Sequence, residues 1–149
     1  MARAFTVPVE HGGVVLHGNL TNEKGESIPV DLLPVEPVNT TKEPFCGCVL
    51  NKLLFSLIGL YTFLIVKYDS IVAEGWERIV ETVASILPKF DADGDFYYDI
   101  TFYNTTRKGD VFHQIVIRAM EFLADATKHP TFIEYYNKWR AYLPETLSI

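Results

Sequence analysis

An uncharged apolar stretch at residues 53–66 restricts the folds open to this chain more than any other feature. It reads LLFSLIGLYTFLIV and is bounded by Lys52 and Lys67. A helix that crosses a bilayer needs about 20 such residues, so this stretch is too short to span a membrane, and we predict a buried helix. The β-branched and aromatic residues at 61–68 leave a strand as the alternative.

Two zones of different composition follow one another along the chain. Residues 1–45 contain five of the eight prolines and predict short strands and extended segments. Residues 49–143 contain long apolar-periodic segments, which are typical of helices. Because about 45 residues seldom form a separate core, we predict a single domain over residues 1–149.

One strand pattern stands out in the second zone, where apolar and polar residues alternate at 96–103. We expect this strand to join the N-terminal strands in a small, mainly antiparallel sheet packed against three to four helices, which is an α+β fold. The clearest helix pattern spans residues 70–87, and Pro88 is expected to end it. Residues 111–123 have an apolar face so wide that we expect burial on more than one side.

The charge and the targeting signals of the chain argue against several functions. A net charge of -6 and a pI near 5.1 oppose binding to nucleic acid backbones. The N-terminus lacks the apolar core of a signal peptide. Cys46 and Cys48 are too close for an unstrained disulfide, and free thiols suit a reducing compartment. We therefore expect a cytoplasmic protein that binds neither nucleic acid nor a membrane.

The acidic stretch FDADGDFYYD, at residues 90–99, offers one candidate metal site. Its candidate ligands are the carboxylates of Asp91, Asp93, Asp95 and Asp99. The stretch resembles the D-x-D-G-D calcium loops of EF-hands and related repeat proteins, and the resemblance implies calcium at those side chains. No other cofactor is indicated.

Two residues depart from the calcium-loop pattern and favour a turn. Phe96 stands where the loop needs a glycine, and Phe102 stands where it needs a glutamate. Asp93 and Gly94 instead favour positive φ and can reverse the chain before the strand. We therefore expect a turn here, with a calcium-binding module as the alternative function.

The two cysteines offer a further alternative, an enzyme that uses a cysteine thiolate. Such a nucleophile needs a base, and the candidates are His11, His17, His113 and His129. Composition alone provides these groups. The sequence contains no phosphate-binding loop, dinucleotide fingerprint, zinc-protease motif or nucleophile elbow. It therefore favours a protein that is not an enzyme.

Aromatic residues near the C-terminus predict a helix with its rings on one face. The candidate interface anchors on that helix are Tyr135, Trp139 and Tyr142. Extended proline-marked segments in the first zone could also dock a partner. The leading hypothesis is therefore a non-enzymatic interaction module, a small regulatory or assembly protein that binds another protein or a second copy of itself.

Overall fold

Four helices and six short strands make up the part of the chain that the structure describes. The computed structural model describes residues 15–21, 27–34, 36–37, 46–47, 49–99, 104–105 and 111–143. The helices are α1 (Leu50–Val66), α2 (Ser70–Phe90), α3 (Val111–Thr127) and α4 (Pro130–Arg140). The strands are β1 (Val15–Thr21), β2 (Ser27–Pro34), β3 (Glu36–Pro37), β4 (Cys46–Gly47), β5 (Tyr97–Asp99) and β6 (Asn104–Thr105).

The predicted α+β fold is wrong, because helices build the core. Among the residues whose side-chain burial is described, the buried apolar ones come from all four helices and from Phe96. The described strands do not form a common sheet, since they pair separately as β1 with β2, β3 with β4, and β5 with β6, each antiparallel. The helices therefore cover one another, and the core is all-α.

Phe96, the first residue of the alternating pattern, packs on helices. It is fully buried, and its ring lies 4.4 Å from the ring of His113 and 5.0 Å from that of Trp139. This ring therefore belongs to the helical core. The strand β5 itself has only 3 residues, and residues 100–103 lie outside the described residues.

The apolar stretch forms α1, as predicted. The helix buries one face, whose members are spaced as neighbours on a helix: Leu50, Leu53, Leu54 and Leu57. Ser56 and Thr62 on the thinner polar side donate to the carbonyls four residues earlier, both at 2.8 Å. None of the described helices is both long and apolar enough to cross a membrane.

The helix α2 has a side-chain cap at its start and runs past its predicted end. Asp69 accepts hydrogen bonds from the amides of Ile71 and Val72 at 2.9 and 3.2 Å, which stabilises the first turn. The helix continues through Pro88 to Phe90, so the prediction that Pro88 ends it is wrong. Pro88 stands in the last turn, where it has no amide to donate to the carbonyl of Ala84, and the helix nevertheless runs on for two residues.

A two-residue connection joins α3 to α4. Lys128 has a φ of 53°, the left-handed conformation that commonly ends a helix. His129 then caps α4, because its Nδ1 accepts the amide of Thr131 at 3.2 Å, and Pro130 occupies the first turn. The start of α4 is therefore set directly by the end of α3.

The apolar face of α3 is covered by α1 and α4, but part of it stays exposed. Its buried apolar residues are Val116, Ile117, Ala119, Met120, Leu123 and Ala124. Three large apolar residues of the same helix remain exposed, namely Val111, Phe112 and Phe122. Because α3 contacts both α1 and α4, the expectation of burial on more than one side is confirmed, although an apolar surface stays open beside α1.

Candidate functional site

The carboxylate of Asp91 joins the end of α2 to the end of α4. Its Oδ1 accepts hydrogen bonds from Trp139 Nε1 at 3.1 Å and from the Tyr142 hydroxyl at 2.9 Å. Its Oδ2 lies 2.8 Å from Lys138 Nζ. These four residues are called the Asp91 clamp below. Asp91 of the acidic stretch thus meets Trp139 and Tyr142, two of the predicted interface anchors.

Local structure places each member of the clamp. Asp91 is the C-cap of α2, so its side chain leaves the helix where the backbone becomes extended. Lys138 and Trp139 come from the last turn of α4, and Tyr142 follows three residues after Trp139, the spacing of neighbours on a helix. One end of α4 therefore presents three donors to a single carboxylate.

Asp91 and Lys138 each stabilise the charged form of the other. Burial alone would raise the pKa of Asp91, but hydrogen bonds from Lys138, Tyr142 and Trp139 outweigh it and lower that pKa. The hydrogen bond to Asp91 raises the pKa of Lys138. Burial, followed by the same carboxylate, raises the pKa of Tyr142. The clamp therefore holds an ionised acid, a protonated amine and a neutral phenol at neutral pH.

With these protonation states, the clamp is better suited to stabilising the fold than to transferring protons. A general base works best when its pKa lies near the working pH. A carboxylate with a lowered pKa and three donors is a weak base, and a phenol with a raised pKa does not ionise readily. The clamp therefore fixes two chain segments against each other.

The segment that the clamp fixes is a tight turn. Asp93 and Gly94 have φ values of 50° and 99°, and two positive φ angles in succession are the pattern of a type I′ turn. The amide of Ala92 donates to the carbonyl of Asp95 at 2.9 Å across it. The prediction of a turn at Asp93 and Gly94 is therefore confirmed.

Beyond the turn, Asp95 and Phe96 contact the start of α3. Asp95 Oδ1 accepts the amide of Phe96 at 2.8 Å and lies 3.7 Å from Nδ1 of the buried His113. The ring of Phe96 contacts both His113 and Trp139. The turn, α3 and α4 are therefore held in one cluster of rings and carboxylates.

Three of the four carboxylates predicted to bind calcium have described side chains, and these three do not form a metal-binding group. Asp91 is engaged in the clamp, Asp93 is exposed, and Asp95 accepts the amide of Phe96. The side chain of Asp99 lies outside the described residues. Among the residues that the structure describes, no three His, Cys, Asp or Glu side chains are grouped so that they could hold a metal ion.

The predicted interface anchors differ in their exposure. Trp139 is fully buried, so its ring is not available to a partner in this fold. Tyr135 and Tyr142 are half-buried, and the ring of Tyr135 packs edge-on against Trp139 at 5.4 Å. An interface role for these two tyrosines remains a prediction.

The thiol hypothesis falls mostly on parts of the chain that the structure does not describe. The side chains of Cys46, Cys48, His11 and His17 lie outside the described residues. His113 is fully buried, and His129 caps α4 while its Nε2 lies 3.2 Å from Glu81. Neither of these two histidines faces a described nucleophile, so the thiol hypothesis gains no support here.

A surface groove that the sequence did not predict runs between α1 and α3. It encloses about 560 Å³ and is called the α1–α3 groove. Its lining residues are Phe55, Ile58, Val111, Gln114, Ile115, Arg118, Ala119 and Phe122. The wide apolar face of α3 is the sequence feature that could indicate this groove, although that face predicts burial.

A second concavity continues from this groove towards α4. It encloses about 700 Å³, is called the α3–α4 hollow, and shares Arg118 and Phe122 with the groove. Its remaining lining residues are Glu121, Ala124, Asp125, Lys128, Ile133 and Tyr136. The two concavities therefore meet at one cation and one ring on α3.

Comparison with known proteins gives one match. Residues 1–141 match the family model described as D-glucuronyl C5-epimerase C-terminus. No curated protein matches the chain. The match points to an epimerase domain, so the prediction of a regulatory protein is wrong. It also gives no support to a non-enzymatic interaction module or to a calcium-binding module.

Proposed function

We propose a function for this chain on the premise that it belongs to the family of the D-glucuronyl C5-epimerase C-terminus. The match spans residues 1–141 of 149 and includes every described helix. This membership is the observation that carries the proposal. The chain is part of an enzyme that inverts the configuration at C5 of a D-glucuronyl unit.

Inversion at C5 is a proton exchange next to a carboxylate. A base removes the proton from C5, and the electron pair of that C–H bond moves into the carboxylate group. A proton then returns to C5 on the opposite face of the ring, and no other bond changes. The reaction needs proton-transfer groups on both faces and donors that stabilise the charge developing on the carboxylate.

The Asp91 clamp contributes to this function by positioning. Its ionised carboxylate and neutral phenol have pKa values shifted away from those of an efficient proton carrier. What the clamp does fix is the turn at Asp93 and Gly94, and through Phe96 the start of α3. A small displacement of such a scaffold lowers the rate of a reaction that depends on orientation.

Solvent proton exchange tests this function directly. The protein is incubated in ²H₂O with an oligosaccharide that contains D-glucuronyl units, and NMR follows the hydrogen at C5. We expect deuterium at C5 together with the C5-inverted sugar. An oligosaccharide with D-glucosyl in place of D-glucuronyl is the control, because without the carboxylate its C5–H is not acidic. Glucuronyl units that bind to the protein and keep their original hydrogen contradict the proposal.

A further inference from the structure

We propose that the α1–α3 groove binds the sugar units that flank the reacting one, with Arg118 holding a carboxylate of the glycan. The inference rests on the proposed function, since it assigns a place to the rest of that substrate. A glucuronyl unit is bonded to a further group, and the proposal takes that group to be part of a glycan, which makes the ligand an extended one. The groove offers an open surface for such a ligand.

The apolar lining of the groove suits the face of a sugar ring. Phe55 and Phe122 are 48% and 42% exposed and belong to opposite walls, on α1 and α3. The axial C–H groups make one face of a pyranose apolar, and aromatic rings are the side chains that cover such a flat surface best. Leaving several large apolar residues together in water is otherwise unfavourable, which marks the patch as a binding surface.

Charge complementarity favours an acidic ligand. Arg118 is the one charged residue among the described residues that line the α1–α3 groove. Its side chain is 62% exposed and lies 3.9 Å from Glu121, a distance at which an exposed ion pair is weak. The guanidinium presents a planar fork of donors that matches a carboxylate.

The surface continues far enough for more than one sugar. Beyond Arg118 and Phe122, the α3–α4 hollow adds the ring of Tyr136 and the exposed amine of Lys128. Lys128 is paired with Asp125 at 2.8 Å, and both side chains are exposed, so this pair is open to competition from an anion. An extended glycan would therefore meet the cations of Arg118 and Lys128 and the ring of Tyr136, in a hollow that also holds the carboxylates of Glu121 and Asp125.

Substrate length provides the test. Steady-state rates are measured for a long glycan with many D-glucuronyl units and for a short one with a single unit. We expect Arg118→Gln to raise the KM for the long glycan by about tenfold, as loss of a charged hydrogen bond does, with kcat unchanged. The short glycan should show no change. Lys67→Gln is the matched control, since it removes an exposed cation outside the groove.

Calorimetric binding of the same long glycan provides a second readout that does not need turnover. We expect Phe55→Ala and Arg118→Gln each to weaken this binding, while circular dichroism shows an unchanged helix content. If the protein binds the long glycan in this way but exchanges no C5 hydrogen, the proposal that the groove binds glycan is supported and the proposed reaction is contradicted.

Three results would overturn the groove proposal. One is equal binding of long and short glycans by the unaltered protein. Another is an effect of Arg118→Gln that is the same for both lengths. The third is a concentration-dependent dimer that Phe55→Ala abolishes without changing glycan binding, because a second copy of the chain would then cover the groove.

Discussion

Two glycines in the described structure have equal space around them but different backbone conformations. A Cβ atom built on either Gly59 or Gly94 meets no other atom within 4 Å. Gly94 has a φ of 99°, which side chains of L residues rarely adopt, whereas Gly59 lies within α1. The same substitution should therefore have opposite effects on stability at the two positions.

We expect Gly94→Ala to lower the free energy of unfolding by about 1–2 kcal/mol, because alanine is strained at positive φ. Gly59→Ala should raise it by about 0.5–1 kcal/mol, because alanine favours a helix and restricts the unfolded chain. Denaturant unfolding of both variants measures the difference. If both changes stabilised the protein, the turn at Gly94 would not require positive φ.

At the scale of elements, the position of each described helix follows from local sequence. The apolar run predicts α1 and the periodic run predicts α2, because each helix depends on neighbours three and four residues apart. The end of α2 was misplaced because Pro88 removes one amide hydrogen bond but does not stop the helix from continuing for two more residues. The predicted sheet was wrong. Phe96 contacts helix side chains, and an alternating sequence does not distinguish this contact from packing within a sheet.

The Asp91 clamp could not be predicted from the sequence in the same way. Asp91 and Trp139 are 48 residues apart, and no local pattern links them. Asp91 was singled out as a calcium ligand and Trp139 as an interface anchor, so both residues were found for reasons that the structure does not support. Pairing at this distance depends on how α2 and α4 pack.

Acid unfolding should reveal the contribution of Asp91 to the joint between α2 and α4. Its pKa is lowered in the folded protein, so its contribution is complete above the unfolded value of about 3.9 and is lost as the pH falls through the folded value. We expect Asp91→Ala to cost about 3 kcal/mol at pH 7, since a carboxylate with several donors is removed.

Asp91→Asn is the matched variant, because it keeps the shape and removes the charge. Its free energy of unfolding should lie below that of the unaltered protein at pH 7, and the gap should narrow as the pH falls below about 4. Urea unfolding at pH 7, 5 and 3 provides the measurement. A gap that stays constant with pH would show that the charge of Asp91 does not stabilise the fold.

At the scale of the whole molecule, the described helices share one core. Buried side chains from α1, α2, α3 and α4 form a single cluster, and Trp76 Nε1 on α2 donates to the carbonyl of Leu57 on α1 at 3.1 Å. Shared burial of this kind couples the helices, so that they unfold together. A destabilising substitution in one helix should therefore lower the stability of all four helices together.

We expect Leu57→Ala to lower the free energy of unfolding by about 2–5 kcal/mol, since Leu57 is fully buried and a cavity would remain. Unfolding curves from circular dichroism and from tryptophan fluorescence should still coincide. Thr62→Ala, an exposed change on the same helix, should stay within about 0.5 kcal/mol. Curves that separate would show that α1 unfolds independently.

The span of the Asp91 clamp has a consequence for the speed of folding. Its hydrogen bonds join residues 48 and 51 positions apart, whereas each helix forms from contacts within a few residues. Closing so long a loop costs entropy that is recovered only once the helices are in place. We therefore expect the clamp to form late and to act mainly on unfolding, so that removing the Asp91 side chain should accelerate unfolding and leave the folding rate nearly unchanged in stopped-flow measurements. On this expectation, the one carboxylate controls the lifetime of the native state rather than the ease of reaching it.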